Sequence, residues 1–447
     1  MAQLYDLTIA QIKTGIASGE LSPVELVQSL LDRAGAVDSK VQAWETLDAE
    51  GALAAAHTAE AQLRHFPGRA LESVPVGIKD IFYTAGLRTA AGFAPFADLV
   101  PDYDAEAVAR LRSAGSIILG KTVTTQFAFS DPPKTRNPWN QDRTPGGSSS
   151  GSGAAVAARL IPAALGTQTA GSVLRPAAYC GVVGFKPTFG RISRHGVLPL
   201  SWSLDHVGII VRTVEDAGLV YQAIAGAGAR DPASLRLPVS NVMAALPHLP
   251  APPRLGLVVD FVERAEPEVQ AHLEAVASRW ERAGAEVRRV QLPLPMDTVL
   301  ATHQVVMQSE AAAVHSANLA AHASDYRPLL RAYVENGHLI PAAAYVHAQR
   351  LRRRIREEVE SMLDGLDAFL TPTASNVAPG PATTGDRSFQ AVWTMLGAPA
   401  IALPSGFDSS GMPFSVQLAG RHLDETGLLA TARWCEAHLD SMPAPPL

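Results

Sequence analysis

The chain has 447 residues, of which 47% are apolar and 18% are charged, with 35 glycines and 33 prolines. This composition is typical of a globular protein and excludes the disordered and fibrous classes. The net charge of -6 at pH 7 gives no indication of a surface that binds polyanions, so we expect no nucleic-acid partner.

The cysteines and histidines limit the cofactor chemistry. Two cysteines are too few for a disulfide framework, and the thirteen histidines form neither an HExxH nor an HxH cluster. We therefore expect a reduced, cytoplasmic protein with no metal and no other cofactor. The N-terminus does not resemble a signal peptide and no apolar stretch is long enough to span a bilayer, so we expect no membrane association.

The first third of the chain alternates between predicted helices and predicted strands. Residues 8–36 predict two helices that are separated at Leu21-Ser22-Pro23, where Ser22 can cap the second helix. This alternation indicates an α/β core. The other predicted elements of this part are a helix over 43–63, a strand over 74–82, a helix over 104–114 and a strand over 116–119.

Residues 146–153 consist only of glycine and serine. Such a run is normally a flexible linker. Pro145 precedes this one, however, and a run of small residues over 154–160 that is compatible with a helix follows it directly. The serines are therefore either spacer residues or part of a functional site.

The rest of the chain predicts further strands and helices. A candidate boundary lies at 231–253, which is rich in proline, alanine and leucine. Residues 254–292 predict a strand, a helix and a strand in the order of a βαβ unit. The other predicted strands cover 181–186, 207–211, 368–370, 400–403 and 415–419, and the other predicted helices cover 297–323, 340–364 and 425–438.

Two polar residues in apolar or small-residue surroundings are candidates for chemistry. Lys79 lies in a short apolar segment; burial would lower its pKa and make it a general base, whereas an outward orientation would leave an ordinary exposed lysine. Ser172 follows Thr169-Ala170-Gly171, whose backbone N–H groups can bind an anion or form a tight turn before a helix. Each residue taken alone leaves both alternatives open.

Two common motifs fit the glycine-serine run poorly. Gly147-Ser148-Ser149-Ser150-Gly151 has the form G-x-S-x-G, with Ser149 in the place of a nucleophile. That motif requires a buried strand directly before it, and here the polar segment 135–145 precedes it. A P-loop is excluded because no Gly-Lys-Ser or Gly-Lys-Thr follows the glycines.

Three separated segments together resemble the amidase signature family. They are Pro75-Val76-Gly77-Ile78-Lys79-Asp80, the run at 146–153, and Gly166-Thr167-Gln168-Thr169-Ala170-Gly171-Ser172 with the residues up to Thr188. The resemblance covers nearly the whole chain and is weakest from about 230 to 390. It implies a single α/β domain over 1–447, an α/β/α sandwich around a large, mixed, twisted sheet, with a variable substrate wall at about 231–388.

The resemblance also implies a role for each residue of a site. Ser172 would be the nucleophile that accepts the acyl group. Lys79 would be the general base and would act through Ser148, which would follow a cis peptide bond to Gly147. The oxyanion hole would consist of the backbone N–H groups of Thr169, Ala170, Gly171 and Ser172. The supporting residues would be Gly147, Ser149, Gln168 and Arg175.

Two positions depart from the commonest form of the family motif. Many members have Asp where this chain has Gln168, and two glycines where it has Ala170-Gly171. Since backbone N–H groups would bind the oxyanion, Ala170 can still serve if its φ is negative. Gln168 removes a negative charge, and a salt bridge from this position to Arg175 is lost with it.

These observations favour an amidase that works alone, as a monomer or homodimer, on a small-molecule amide, anilide or carbamate, with esters as a further substrate class. Tyr326, Tyr333, Tyr345 and the nearby Trp393 would either line an apolar, fairly open pocket for aryl or alkyl groups or belong only to the core. Two alternatives to this function remain. One is the glutaminase subunit of a tRNA-dependent amidotransferase, which needs partner subunits and an ammonia channel. The other is a non-catalytic binding protein on the same scaffold.

Overall fold

One mixed sheet of eleven strands organises the part of the chain that the computed structural model describes, residues 3–63, 68–246 and 251–447. In chain order the strands are β1 (Trp44–Leu47), β2 (Pro75–Lys79), β3 (Ile117–Thr122), β4 (Ala163–Gln168), β5 (Val183–Lys186), β6 (His206–Val211), β7 (Arg254–Val258), β8 (Glu286–Val290), β9 (Ala368–Pro372), β10 (Ala400–Phe407) and β11 (Pro413–Ala419). Across the sheet their order is β1-β3-β2-β4-β6-β5-β10-β11-β9-β7-β8. β2 runs parallel to β3 and β4, β7 runs parallel to β8 and β9, and the other neighbours are antiparallel.

Helices flank this sheet, so the predicted α/β fold class with a large mixed sheet is confirmed. Within the described ranges they are α1 (Ile9–Ser18), α2 (Pro23–Val41), α3 (Ala49–Leu63), α4 (Glu106–Ser113), α5 (Ser150–Ala157), α6 (Leu174–Cys180), α7 (Val214–Ile224), α8 (Val242–Ala245), α9 (Val259–Val262), α10 (Pro267–Arg282), α11 (Met296–His322), α12 (Pro328–Gly337), α13 (Ala342–Met362), α14 (Ser388–Leu396) and α15 (Glu425–Ala437).

The local signals at helix starts and in the βαβ unit were reliable. The predicted break at Ser22 is confirmed, because the Ser22 hydroxyl accepts hydrogen bonds from Val24 N–H and Glu25 N–H at 3.1 and 3.2 Å and α2 begins at Pro23. The unit predicted over 254–292 is present as β7, α10 and β8, with its two strands parallel.

The helix predicted over 43–63 is wrong at its start. Residues Trp44–Leu47 form β1, which pairs with β3 at the sheet edge, and α3 begins only at Ala49. Trp44 is 7% exposed, so strand pairing and burial of its ring outweigh the helix propensity of the alanine-rich segment. The sequence patterns also did not predict β4, α7, α12 and α14, and they gave a helix at α6 only as one alternative for the segment after Ser172.

The glycine-serine run is an ordered and buried segment. Its residues from Ser150 onward begin α5, and every residue of that helix is buried. Gly151 donates its N–H to Val123 O at 3.0 Å, and a Cβ at this position would lie 2.2 Å from Ala43 O and 2.3 Å from Val123 N. Only glycine allows this approach of α5 to the chain beside β1 and β3.

Strands from the predicted substrate wall join the same sheet as the rest of the chain. β7 and β9 lie inside 231–388, and β9 pairs with β11. The single domain over 1–447 and the boundary at 231–253 stay predictions, and residues 247–250 of that boundary lie outside the described residues. In the part of the chain that is described, no helix is both long enough and apolar enough to cross a membrane.

We expect the variant Gly151→Ala to be destabilised by about 3 kcal/mol or more, because the new methyl group must displace backbone atoms of two neighbouring segments. Thermal unfolding followed by circular dichroism would show a lower midpoint. The control is Gly35→Ala, an exposed position inside α2 where nothing lies within 4 Å of a new Cβ; we expect it to be stabilised by about 0.5–1 kcal/mol. Equal midpoints for the two variants would contradict this packing of α5.

Candidate active site

Lys79 is the last residue of β2, a strand in the interior of the sheet. β2 has a parallel neighbour on each side, β3 and β4, and the Lys79 side chain is completely buried. Its Nζ lies 2.7 Å from Ser148 Oγ and 2.9 Å from Thr167 Oγ1, within hydrogen-bonding distance of both hydroxyls. The alternative of an ordinary exposed lysine is therefore excluded.

Burial lowers the pKa of Lys79 well below its ordinary value of 10.5, because removal from water disfavours the charged amine. The negative charge of Asp205 opposes part of this shift. The net direction is downward, so the neutral amine is available at a lower pH than in an exposed lysine. A neutral amine beside a hydroxyl is the arrangement that a general base requires.

Arg175 holds the turn that carries Ser148. The peptide bond between Gly147 and Ser148 is cis. Arg175 donates from Nη2 to Gly147 O at 2.7 Å and from Nη1 to Gly385 O at 2.8 Å. Burial lowers the pKa of Arg175 to about 10, so the guanidinium is still protonated at neutral pH. Arg175 therefore fixes the turn through carbonyl oxygens and needs no carboxylate at position 168.

The other serines of the run bond to nearby main-chain atoms. Their hydroxyls donate to Thr167 O from Ser149 at 3.3 Å, to Gly146 O from Ser150 at 2.7 Å and to Leu165 O from Ser152 at 3.0 Å. Two of these acceptors belong to β4, the strand that leads into the Ser172 loop. Among the described residues, Ser148 is the one serine of the run that bonds to Lys79.

In the loop 169–172 every carbonyl oxygen accepts a hydrogen bond, whereas the four backbone N–H groups donate none to the described residues. The carbonyl partners are His303 Nε2 on Thr169 O at 3.0 Å, Thr394 Oγ1 on Ala170 O at 2.6 Å, Arg175 N on Gly171 O at 2.9 Å and Ser149 N on Ser172 O at 3.3 Å. None of the four N–H groups donates to an acceptor in the described part of the chain. Consecutive free N–H groups of this kind can bind an oxygen that carries negative charge.

Gln168 and Gln390 determine the shape of this loop. Gln168 Oε1 accepts hydrogen bonds at 2.9 and 3.0 Å from two consecutive N–H groups at the start of α6, and its Nε2 donates to Thr394 Oγ1 at 3.0 Å. Ala170 does not have a positive φ, so its N–H meets the condition set above for donating to an oxyanion. A Cβ at Gly171 would lie 2.3 Å from Gln390 Oε1, so a larger residue here would have to displace the Gln390 side chain.

Sequence reasoning missed three buried residues that touch the loop: Asp205, His303 and Thr394. Asp205 Oδ1 accepts a hydrogen bond from Thr169 Oγ1 at 2.6 Å. Burial lowers the pKa of His303 to about 3, so its imidazole is neutral where it bonds to the loop. These residues reach the site from distant parts of the chain, and no local spacing could have indicated them.

The structure brings Lys79 and Ser148 together but does not hydrogen-bond Ser148 to the Ser172 hydroxyl. Within the described ranges the Ser172 hydroxyl has no hydrogen-bond partner, and the two segments are joined by the bond from Ser149 N–H to Ser172 O. Ser172 is 6% exposed, so its hydroxyl keeps slight access to solvent.

Neither a metal cluster nor a disulfide accompanies this arrangement in the described residues. No group of three or more His, Cys, Asp or Glu side chains there is placed to hold a metal ion. Cys180 and Cys435 are both free and buried, and burial raises the pKa of each thiol. The chemistry available at the site is that of the amine, the hydroxyls and the backbone donors.

Comparison with known proteins agrees with this geometry. The family model described as Amidase matches residues 25–429. The chain belongs to the amidase signature family. A glutamyl-tRNA(Gln) amidotransferase subunit from Roseiflexus castenholzii is 37% identical to it over 471 residues, which covers 96% of this chain and 95% of that protein.

Solved structures of proteins with the amidase fold superpose closely on the chain. One, described as a vestigial protein complex that reveals the evolutionary origins of an s-triazine catabolic enzyme, is 30% identical with a TM-score of 0.91; the match covers 98% of this chain and 100% of that one. A glutamyl-tRNA(Gln) amidotransferase subunit from Thermotoga maritima is 28% identical with a TM-score of 0.82, covering 100% of this chain and 98% of that one.

These findings correct the functional expectation. The predicted stand-alone amidase of broad acyl specificity is wrong, because similar relatives over nearly the full chain are named as subunits of glutamyl-tRNA(Gln) amidotransferase. Membership of the family supports an amidase, and the comparisons give no support to urethanase activity. The expected monomer or homodimer also conflicts with these relatives, because a subunit by name belongs to a larger assembly.

Thr394 links Gln168 to Ala170, and we expect Thr394→Val to lower kcat for hydrolysis of a primary amide about 10- to 100-fold. The isosteric valine removes the donor to Ala170 O and the acceptor of Gln168 Nε2, so the backbone N–H groups of the loop lose their fixed orientation. Steady-state kinetics measures the effect as a change in kcat.

Two further variants make this test specific. Thr394→Ser keeps the hydroxyl and should retain most of the rate. Thr58→Val, on the exposed side of α3 where the hydroxyl bonds to Ala54 O, should change nothing. If Thr394→Ser lost as much activity as Thr394→Val, the hydroxyl would not be what orients the loop.

Proposed function

We propose that this chain is the amide-hydrolysing subunit of a glutamine-dependent amidotransferase and that it releases ammonia from the side-chain amide of glutamine. The observation that carries the proposal is the similarity, over nearly its full length, to relatives that are named as subunits of glutamyl-tRNA(Gln) amidotransferase. The buried Lys79–Ser148 pair and the free N–H groups of the loop 169–172 supply the groups that hydrolysis of an amide needs.

In the first half of the proposed reaction, Ser172 Oγ attacks the amide carbonyl carbon of glutamine. Its proton passes to Ser148 Oγ while the Ser148 proton passes to the neutral Lys79 amine. The two serine hydroxyls are not hydrogen-bonded in the structure, and such contacts commonly tighten only in the substrate complex. The carbonyl oxygen becomes an oxyanion, which the N–H groups of residues 169–172 stabilise.

In the second half, the C–N bond breaks and the proton returns through Ser148 to the leaving group, which departs as ammonia. Ser172 then carries the glutamyl group as an ester. Water attacks this ester along the same proton path, which releases glutamate and restores the hydroxyl. The sum is glutamine and water converted to glutamate and ammonia, with no oxidant, metal or cofactor in the balance.

Partner subunits belong to this proposal because the similar relatives are named as subunits of an amidotransferase. The net charge of this chain is -6, and in the arginine-rich segment 350–356 of α13 Arg353 and Arg354 pair with Glu357 and Glu358 one turn further on, at 3.5 and 2.7 Å. We therefore assign tRNA binding to a partner subunit, to which the ammonia would be delivered. A cytoplasmic location is part of the same proposal, since the reaction needs aminoacylated tRNA.

We also propose that the region 231–388 forms the substrate wall of a single domain over 1–447. Tyr333 and Tyr326 in this region pack against aromatic residues of the segment 125–129, with Tyr333 4.6 Å from Phe129 and Tyr326 5.9 Å from Phe127 between ring centroids. Thr125 N–H donates to Ser148 O at 3.3 Å, so the same segment is attached to the site. The segment 125–129 thus contacts both the region 231–388 and the turn that carries Ser148.

We expect Ser172→Ala to reduce the release of glutamate from glutamine about 10⁴-fold or more, because the acyl-enzyme cannot form. A coupled glutamate dehydrogenase assay measures the rate, and Ser18→Ala, an exposed position on α1, is the matched control. Wild-type kcat/KM for glutamine should exceed the values for an anilide and an aryl carbamate. Turnover retained by Ser172→Ala would contradict the nucleophile, and a preference for the anilide or carbamate would contradict the substrate.

The pH profile tests the neutral lysine. Raising the pH through the lowered pKa of Lys79 produces the neutral base, so kcat/KM should be high above that pKa and fall as the pH decreases through it. We expect this acid limb well below pH 10.5, the ordinary value for lysine. Lys79→Arg, which stays charged, should lack activity across the range. A rate that keeps rising up to about pH 10.5 would mean that the base is not a desolvated lysine.

A further inference from the structure

One face of α14 and its preceding residue point toward the loop 169–172. Thr394 donates to Ala170 O at 2.6 Å, and Gln390 fills the space where a side chain at Gly171 would lie. Residues 387, 390 and 394 are three and four positions apart, so they share one face of a helix. Arg387 immediately precedes α14 and therefore lies on the side that faces the site.

Two aromatic rings hold the Arg387 guanidinium at this position. Its Cζ lies 5.8 Å from the centroid of the Phe129 ring and 5.6 Å from that of Tyr333, and the two rings are 4.6 Å apart. Phe129 O accepts a hydrogen bond from Thr125 Oγ1 at 2.9 Å, and Thr125 N–H donates to Ser148 O. The rings are thus attached to the turn that carries Ser148, and they hold the Arg387 guanidinium beside the segment 125–129.

The charge of Arg387 lowers the pKa of two side chains, one bonded to the loop 169–172 and one bonded to the turn that carries Ser148. Burial first, and then the Arg387 charge, lower the pKa of His303, which bonds to Thr169 O. The same two causes lower the pKa of Arg175, which bonds to Gly147 O. The guanidinium is therefore within electrostatic range of the place where the amide carbonyl would bind.

No carboxylate neutralises Arg387 within residues 3–63, 68–246 and 251–447. The adjacent Asp386 is engaged with the N–H and hydroxyl of Ser388. Tyr333 is 9% exposed, and among the same residues its buried hydroxyl has no partner apart from the neighbouring Arg387 guanidinium. Burial raises the pKa of Tyr333 to about 12, against the opposing effect of Arg387, so the phenol keeps its proton and can donate it. In the described part of the chain, the guanidinium and the phenol proton therefore have no carboxylate acceptor.

We propose that Arg387, assisted by the Tyr333 hydroxyl, binds the carboxylate of an amide substrate whose carbonyl group lies in the loop 169–172. A guanidinium offers a carboxylate two parallel N–H donors, and its partly buried position strengthens the pair. The substrate class is a short ω-amide of a carboxylic acid, with the amide at one end and the carboxylate at the other. Glutamine belongs to this class, and in naming glutamine the inference rests on the proposed function.

Two amides of equal length test this inference directly. Glutaramate has a carboxylate where pentanamide has a methyl group, and the remaining atoms are the same. We expect the wild-type protein to have a higher kcat/KM for glutaramate, and Arg387→Ala to lower the ratio of the two values about 10- to 100-fold, chiefly through the KM of glutaramate. Arg387→Lys keeps the positive charge but lacks the two parallel N–H donors of a guanidinium. It should therefore restore part of the preference for glutaramate over pentanamide. Arg353→Ala is the control, because Arg353 is exposed on α13 and pairs with Glu357 at 3.5 Å.

The outcomes separate this inference from the proposed function. A wild-type protein that hydrolyses glutaramate but not glutamine would disprove the glutaminase and leave the carboxylate site supported. An unchanged ratio in Arg387→Ala would overturn the carboxylate site, whatever the activity on glutamine. If turnover is too slow to measure, protection of Ser172 from a fluorophosphonate probe gives the same comparison: glutaramate should protect the wild type better than pentanamide does, and equal protection would overturn the inference.

Discussion

The enclosure of the Lys79 side chain between two parallel strands is the constraint on which the candidate site depends. An amine in the interior of a sheet is removed from bulk solvent, so it must find hydrogen-bond partners there to offset the cost of burial. It finds them in Ser148 and Thr167. The run that carries Ser148 packs closely against other parts of the chain, since a Cβ would lie 2.7 Å from Thr384 Cγ2 at Gly147 and 2.2 Å from Ala43 O at Gly151. The small residues of the run thus allow an ordered, buried turn beside the lysine.

The loop 169–172 presents hydrogen-bond donors to the site while its acceptors are bonded elsewhere. Its four carbonyl oxygens are held by four different parts of the chain, and its four N–H groups have no protein acceptor within the described ranges. A short peptide segment offers equal numbers of donors and acceptors, so it can present donors alone only if its acceptors are satisfied elsewhere. Gln168 adds to this by bonding the next two N–H groups, which ends the set of free donors at Ser172.

The sequence was informative where a property is local or where a motif is long. The cap at Ser22 is a local property, and the three motifs around Lys79, the glycine-serine run and Ser172 together identified the family. The strand at Trp44 was missed because its stability comes from pairing with a strand more than seventy positions away. His303 and Thr394 were missed for the same reason: each contacts the loop only through the packing of α11 and α14. The functional class was mistaken because amide, anilide and carbamate pass through the same kind of oxyanion, so the motifs do not separate them.

The position of α11 and α14 has a consequence for how such proteins diverge. Both helices belong to, or directly follow, the region 231–388 that we propose as the substrate wall, and His303 and Thr394 on these helices hold the carbonyl groups behind the free donors. A change in this region that accommodates a new substrate therefore also disturbs the orientation of the donors. Substrate selectivity and turnover are therefore coupled in this fold. A related protein with a new substrate has to keep the backbone N–H groups of the loop 169–172 in their orientation.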